Sequence, residues 1–172
     1  MLNRTIGVVL GLCFAVGPTS LYAQPHQRTV RDTVSLSPGS VSVENEEGSI
    51  TVSTWSRDAV AYEARIESEQ DKAFVENTVI DVETLTQHLE LESNFDDLEA
   101  QWSFGPEIYG YGVSHPAVHY TLTVPESAEV SVAGEDAEID VTGLRAPLQV
   151  ETDEGPVRVA NQRGATRIDA DD

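Results

Sequence analysis

Cysteine is nearly missing from this chain. Of 172 residues only Cys13 is one, and it lies inside an apolar run near the start. Once that run is removed, no disulfide can form and thiol catalysis is excluded. Lysine is as scarce: Lys72 stands alone, and 10 Lys and Arg face 30 Asp and Glu, for a net charge of −20. A surface this negative argues against nucleic acid and anionic membrane as partners. Beyond the initial run no apolar stretch is long enough to span a bilayer, so the mature chain is not membrane-spanning. Catalytic signatures are missing too. There is no Gly-x-Ser-x-Gly, no phosphate loop, no zinc-ligand spacing and no evident Ser/His/Asp set. The many carboxylates could serve a glycosidase or polysaccharide lyase, but no pair stands out, and the chain reads as a non-enzyme.

The first 23 residues have the pattern of a secretory signal. Arg4 gives the positive start, Ile6 to Val16 is apolar, Gly17-Pro18 breaks the run, and Leu21-Tyr22-Ala23 offers a cleavage site. Leu12 stands where a lipoprotein signal wants a small residue, so no lipid anchor is expected. Removing the segment takes one Arg and no acid, moving the charge from −20 to −21. Export follows, to the periplasm, the cell surface or the medium. The acids are scattered over the chain rather than gathered in a tail. With so few lysines and aromatics, this is the composition of a surface adapted to high salt, where screening removes self-repulsion. Cation binding is the alternative.

What the chain does have is period. Residues 128–172 are five consecutive nonapeptides, beginning at Ala128, Ala137, Ala146, Gly155 and Gly164. Slot one is Ala or Gly, and slots three and five are aliphatic except at Thr166. Apolar-x-apolar is the alternation of a half-buried strand, and a small slot one suits a tight corner. Slots eight and nine alternate between acidic pairs (Glu135-Asp136, Asp153-Glu154, Asp171-Asp172) and Arg-ended pairs (Leu144-Arg145, Gln162-Arg163). The unit is therefore a coil of two nonapeptides: strand, acidic turn, strand, Arg turn. Such units stack into a β-solenoid. An antiparallel meander explains the nine but not the eighteen. The two readings differ at Asp140 and Arg158, outward neighbours in a coil but two strands apart in a meander.

Upstream, residues 24–31 read as a flexible leader and 32–172 as one all-β domain. Gly39 and Gly48 each open a further nonapeptide, with Val41, Val43, Ile50 and Val52 inward and Glu46-Glu47 in the acidic slots. A strand follows over 59–66, then a short helix over 69–77. Residues 79–84 and 88–93 form a hairpin around Thr86-Gln87. Residues 94–115 are a long aromatic loop, and 117–124 is a strand ended by Pro125.

Three stretches carry a resemblance: Val41-Ser-Val-Glu-Asn-Glu-Glu-Gly-Ser-Ile-Thr-Val52 with Trp55 and Arg57-Asp58; Tyr120-Thr-Leu-Thr-Val-Pro125; and the repeat from Ala128 onward. Together they resemble the DUF4097 family, exported bacterial proteins labelled as adhesins. The resemblance implies a β-solenoid-like fold and an adhesin-like, non-catalytic binding or surface structural role. The motifs are structural, so they imply no active site. Members of that family usually continue for more repeats. Here Thr166 weakens the fifth, and Asp169–Asp172 reads either as a charged cap or as the point where an array is cut.

Two candidate sites follow. Trp102, Phe104, Tyr109 and Tyr111 lie near glycines and could stack on sugars or partner side chains of a cell-surface glycan or protein; the competing role is a plug over one end of the solenoid. Glu135, Asp136, Asp153, Glu154, Asp171 and Asp172 would stack about 4.8 Å apart in successive coils and offer oxygen ligands to calcium, although the glycine-rich pattern of calcium β-rolls is missing. Otherwise no cofactor is expected. His115 and His119 would sit about 13 Å apart on a strand, too far for one ion. Two further readings stand beside the adhesin: a periplasmic structural or envelope-stress component with no external ligand, and a carbohydrate-active enzyme.

Overall fold

The computed structural model describes residues 25–36, 39–69, 72–96, 98 and 115–170. Among them are ten strands and one short helix: β1 (His26–Ser35), β2 (Ser40–Trp55), β3 (Ala59–Ser68), α1 (Lys72–Asn77), β4 (Val79–Leu85), β5 (His88–Asn94), β6 (Ala117–Pro125), β7 (Glu129–Thr142), β8 (Leu148–Glu154), β9 (Val157–Ala160) and β10 (Thr166–Ala170). No described helix is long and apolar enough to cross a membrane.

β2 and β7 explain the architecture. Each runs through two nonapeptides and bends between them. On β2 the buried positions are Val41, Val43 and Asn45 before the bend, then Ile50 and Val52; on β7 they are Val130 and Val132, then Ala137, Ile139 and Val141. The buried positions switch from odd to even in β2 and from even to odd in β7. Because nine is odd, a straight strand would carry the second apolar pair to the wrong face. Bending at each nonapeptide boundary keeps both pairs on one core.

The bends divide the strands into two layers. The first holds β4, β5, the front half of β2, the front half of β7, β8 and β10, in that order. The second holds β1, β3, β6, the back halves of β2 and β7, and β9. A single apolar cluster draws on both. β7 pairs in parallel with β8 (Val130 with Leu148) and β9 (Ile139 with Val157), and β8 with β10 (Leu148 with Thr166). In each of these pairs the partners stand two nonapeptides apart along the chain. Parallel pairing rules out the meander, and Asp140 is the ladder partner of Arg158. Arg158 makes its ion pair with Glu138 instead. The fold is thus all-β, and among the described residues its sheet does not close on itself.

The corners show why slot one is small. Gly48 and Gly155 have φ of 123° and 106°. A Cβ there would lie 2.3 Å from Val118 O and 2.4 Å from Ala137 O. Only glycine combines that φ with so close a backbone.

One expectation is overturned. Residues 26–31, read as leader, belong to β1, which pairs antiparallel with β3 from His26 opposite Ser68 to Ser35 opposite Ala59. An edge strand needs only one row of backbone partners and a few half-covered side chains, here Val30 and Val34, so its sequence carries little signal. The helix begins at Lys72, while the hairpin and the strand before Pro125 lie where the sequence places them.

Candidate binding faces

The outer face of the first layer carries ordered rows. Parallel pairing sets Glu90, Ser42, Ser131, Gln149 and Arg167 side by side, one per strand from β5 to β10. His88, Ser40 and Glu129 form the row beside it. Between the rows runs a shallow groove of about 360 Å³, with Pro147 and Ala165 at one margin. Hydroxyl, amide, imidazole, carboxylate and guanidinium groups line it beside the aliphatic Val41, Val130 and Leu148, and no phenylalanine, tyrosine or tryptophan is among the described lining residues. Such a surface suits hydrogen bonding to a polyhydroxylated or peptide ligand. Sequence reading missed this row, although its signal is there: Ser42, Ser131, Gln149 and Arg167 are slot four of alternate nonapeptides.

Ser40 Oγ lies 2.8 Å from His88 Nδ1, and His88 Nε2 lies 3.7 Å from Glu90. The second layer repeats the arrangement: Ser49 Oγ is 2.9 Å from His119 Nδ1, and His119 Nε2 is 3.7 Å from Glu67. Serine, imidazole and carboxylate in sequence invite comparison with a hydrolytic triad. Two observations oppose it. In both copies the carboxylate stands beyond hydrogen-bond reach of the ring. The Ser40 N–H is also already given to Gln87 O, and ladder pairing uses strand N–H groups that an oxyanion would need. Two copies at ladder positions fit cross-strand pairing.

The acidic corner forms as a stack. Glu47 pairs with Asp136, and Asp136 with Glu154. Glu135 and Asp153 line a shallow pocket with Glu44, Glu46 and Glu151. Asp171 and Asp172 lie outside the described residues. Among the described residues no three metal-ligating side chains converge on one point. Beneath the acids, Asn45 Nδ2 donates to Glu47 O at 3.1 Å and Thr152 Oγ1 to Glu154 O at 2.7 Å, so the slot-seven side chain closes the backbone at these two corners, while the corner between them has Gly134 in that slot. Asn45 also reaches across the core to Val118 O at 2.9 Å and accepts from Ser93 Oγ at 2.8 Å. On the neighbouring β5, burial first and then the charges of Glu44, Asp81, Glu90 and Asp96 raise the Glu92 carboxyl above its ordinary value.

Trp102, Phe104, Tyr109 and Tyr111 all lie outside the described residues. Just after that stretch, His115 stacks on Phe95 with ring centres 4.6 Å apart and pairs with Glu46 at 2.5 Å. His119 serves Ser49 and Glu67, so the two imidazoles hold different partners. Trp55 packs at a turn, its Nε1 donating to Ala59 O at 2.7 Å and Arg57 lying over its ring.

No family model matches this chain, and no curated protein matches it. Among solved structures, a candidate cell adhesion protein from Clostridium sporogenes ATCC 15579 is similar at 12% identity and a TM-score of 0.48, covering 86% of this chain and 68% of that one. A candidate adhesin from Parabacteroides merdae ATCC 43184 is similar at 10% identity and a TM-score of 0.32, covering 78% of this chain. This chain spans 53% of the length of that second protein.

Proposed function

We propose that this chain is a non-catalytic, exported binding or surface structural protein of the adhesin type, built as a short β-solenoid. One observation carries the reading: the parallel pairing at an offset of two nonapeptides. That offset brings slot-four side chains into rows and makes the outer face an extended, repetitive surface, which is how solenoids engage ligands. The groove along Ser42, Ser131 and Gln149 is the binding element. Its chemistry suits the hydroxyls of a cell-surface glycan or the backbone of a partner protein. The resemblance of the repeats to exported adhesin-type proteins points the same way.

The test uses the purified chain on a panel of extracellular polysaccharides and on whole cells, beside Ser131→Trp. That residue points outward, so the indole fills the groove without entering the core. Saturable binding by the native chain and at least tenfold weaker binding by Ser131→Trp is the expected result. Absence of binding, together with protection from protease in intact cells, replaces this reading with the periplasmic structural one. Turnover of any polysaccharide overturns the non-catalytic part.

A further inference from the structure

Acidic and Arg-ended turns alternate along the chain, and the coil sends them to opposite edges. The chain passes from the first layer to the second at the acidic corner: inside β2, inside β7, and between β8 and β9. It returns at the other edge, between β6 and β7, β7 and β8, and β9 and β10. Arg145 and Arg163 stand in these return turns. The turns are stacked, since the Arg145 N–H is given to Glu126 O at 2.8 Å and the Arg163 N–H to Leu144 O at 2.9 Å. The two arginines are therefore one rung apart, about 4.8 Å.

A third arginine joins them. Arg57 and Arg145 line one hollow of about 240 Å³ with Trp55, Asp58 and Glu126. Both are held in place. Arg57 lies 4.8 Å from the centre of the Trp55 ring, and that ring is itself fixed by its Nε1–H to Ala59 O at 2.7 Å. Glu126 fixes Arg145 through its Nε at 2.8 Å. All three arginines are nevertheless exposed. Among the described residues neither Arg57 nor Arg163 has a carboxylate partner, in a chain of 30 acids and 10 bases. Three bases against Asp58 and Glu126 make this edge locally positive.

Guanidinium groups held in this way receive a carboxylate or phosphate in a bidentate fork, at little ordering cost. Charge density selects between those ligands. Duplex DNA carries one charge for about every 1.7 Å of its axis. That is far denser than guanidinium groups one rung apart, and Asp58 and Glu126 would repel the excess. A polymer with one carboxylate per sugar ring is sparser and matches better. The acidic corner does not prevent its approach. Arg145 and Asp153 are separated by a strand length on the order of 20 Å, whereas charges are screened over about 8 Å at physiological salt. The opposite signs of the two edges instead orient such a polymer, admitting it to one and keeping it from the other.

We propose that the edge formed by the Arg turns binds an acidic polysaccharide, with ring carboxylates on Arg57, Arg145 and Arg163. The site lies on the side of the stack and is separate from the groove along Ser42, Ser131 and Gln149, so it does not rest on the ligand of that groove.

The experiment is isothermal titration calorimetry of the full chain with polygalacturonate, alginate and hyaluronate in about 0.15 M salt. Saturable binding of at least one is expected, with none of its uncharged methyl ester. Arg57→Gln, Arg145→Gln and Arg163→Gln should each weaken binding by about threefold to fivefold, the effect of one exposed charge pair. The triple variant should show no measurable binding. Arg158→Gln removes the same charge from the outer face of the second layer and should leave the affinity unchanged. All four positions are exposed, and far-UV circular dichroism checks the folds. Failure of all three polymers to bind overturns the proposal. So does an equal loss in Arg158→Gln, which would reduce the attraction to net charge. Binding of the methyl ester, or tighter binding of duplex DNA, overturns it as well.

Discussion

Asn45 is the polar residue on which the first corner turns. It is 1% exposed and serves three partners: Glu47 O, Val118 O and the Ser93 hydroxyl. Tyr120, also 1% exposed, is its opposite case. Burial holds the Tyr120 phenol well above its ordinary value; Ser93 is near enough to oppose that shift, yet no hydrogen bond of normal geometry reaches the hydroxyl. A buried group deprived of partners costs more than a satisfied pair contributes. Asn45→Ala is therefore expected to lower stability by about 2–3 kcal/mol. Tyr120→Phe, which removes an unmet hydroxyl and leaves the ring, should raise it by about 1 kcal/mol. Urea unfolding of the two variants beside the native chain measures both. A Tyr120→Phe that loses stability would show that the hydroxyl is satisfied, by Ser93 or by buried water.

At the scale of elements, β5 has an electrostatic cost visible in Glu92. Its folded carboxyl titrates higher than the unfolded one, through burial and then its acidic neighbours. Below the unfolded value both states are protonated, and the group costs nothing. As pH rises through the raised value, the folded state must ionise against that environment, and stability falls. Glu92→Gln should match the native chain in acid and exceed it at neutral pH, as judged by unfolding midpoints at both. Equal stability across that range would mean that solvent already screens the cluster. The strands differ in how legible they were. The front and back halves of β2 and β7 could be read from the sequence because Val41, Val43, Ile50 and Val52, and their counterparts from Val130 to Val141, declare both the strand period and the corner. β1 could not, since its pairing with β3 uses backbone hydrogen bonds that any side chain permits. Nor could the long-range order, in which β6 and β5 flank different halves of β2 across long intervals of chain, Gly48 beside Val118 and Ser40 beside His88. The row Ser42, Ser131, Gln149 and Arg167 becomes a surface only once alternate nonapeptides are known to fall in one layer.

For the whole molecule, charge is the largest unbalanced quantity. The chain's net charge is −20, and the ladder from Glu47 through Asp136 to Glu154 sets like charges on adjacent strands. Paired like charges across strands are each unfavourable by a few tenths of a kcal/mol up to about 1 kcal/mol. The described ion pairs that would offset them, such as Arg145 with Glu126 at 2.8 Å and Arg65 with Glu67 at 2.7 Å, are largely solvent-exposed and contribute little. Two accounts of the acids then predict different responses to salt. If they are a solvated surface suited to high ionic strength, screening alone matters, and the melting temperature rises with sodium chloride and equally with calcium chloride at matched ionic strength. If the corner stack holds calcium, submillimolar calcium stabilises where sodium at the same ionic strength does not, because binding to the folded state adds its own free energy. No three described ligating groups converge, so the expected outcome is the first. Thermal melts in paired sodium and calcium series, repeated on Asp136→Asn, decide it. A calcium-specific rise that Asp136→Asn abolishes would overturn the screening account and make the acidic corner a metal site.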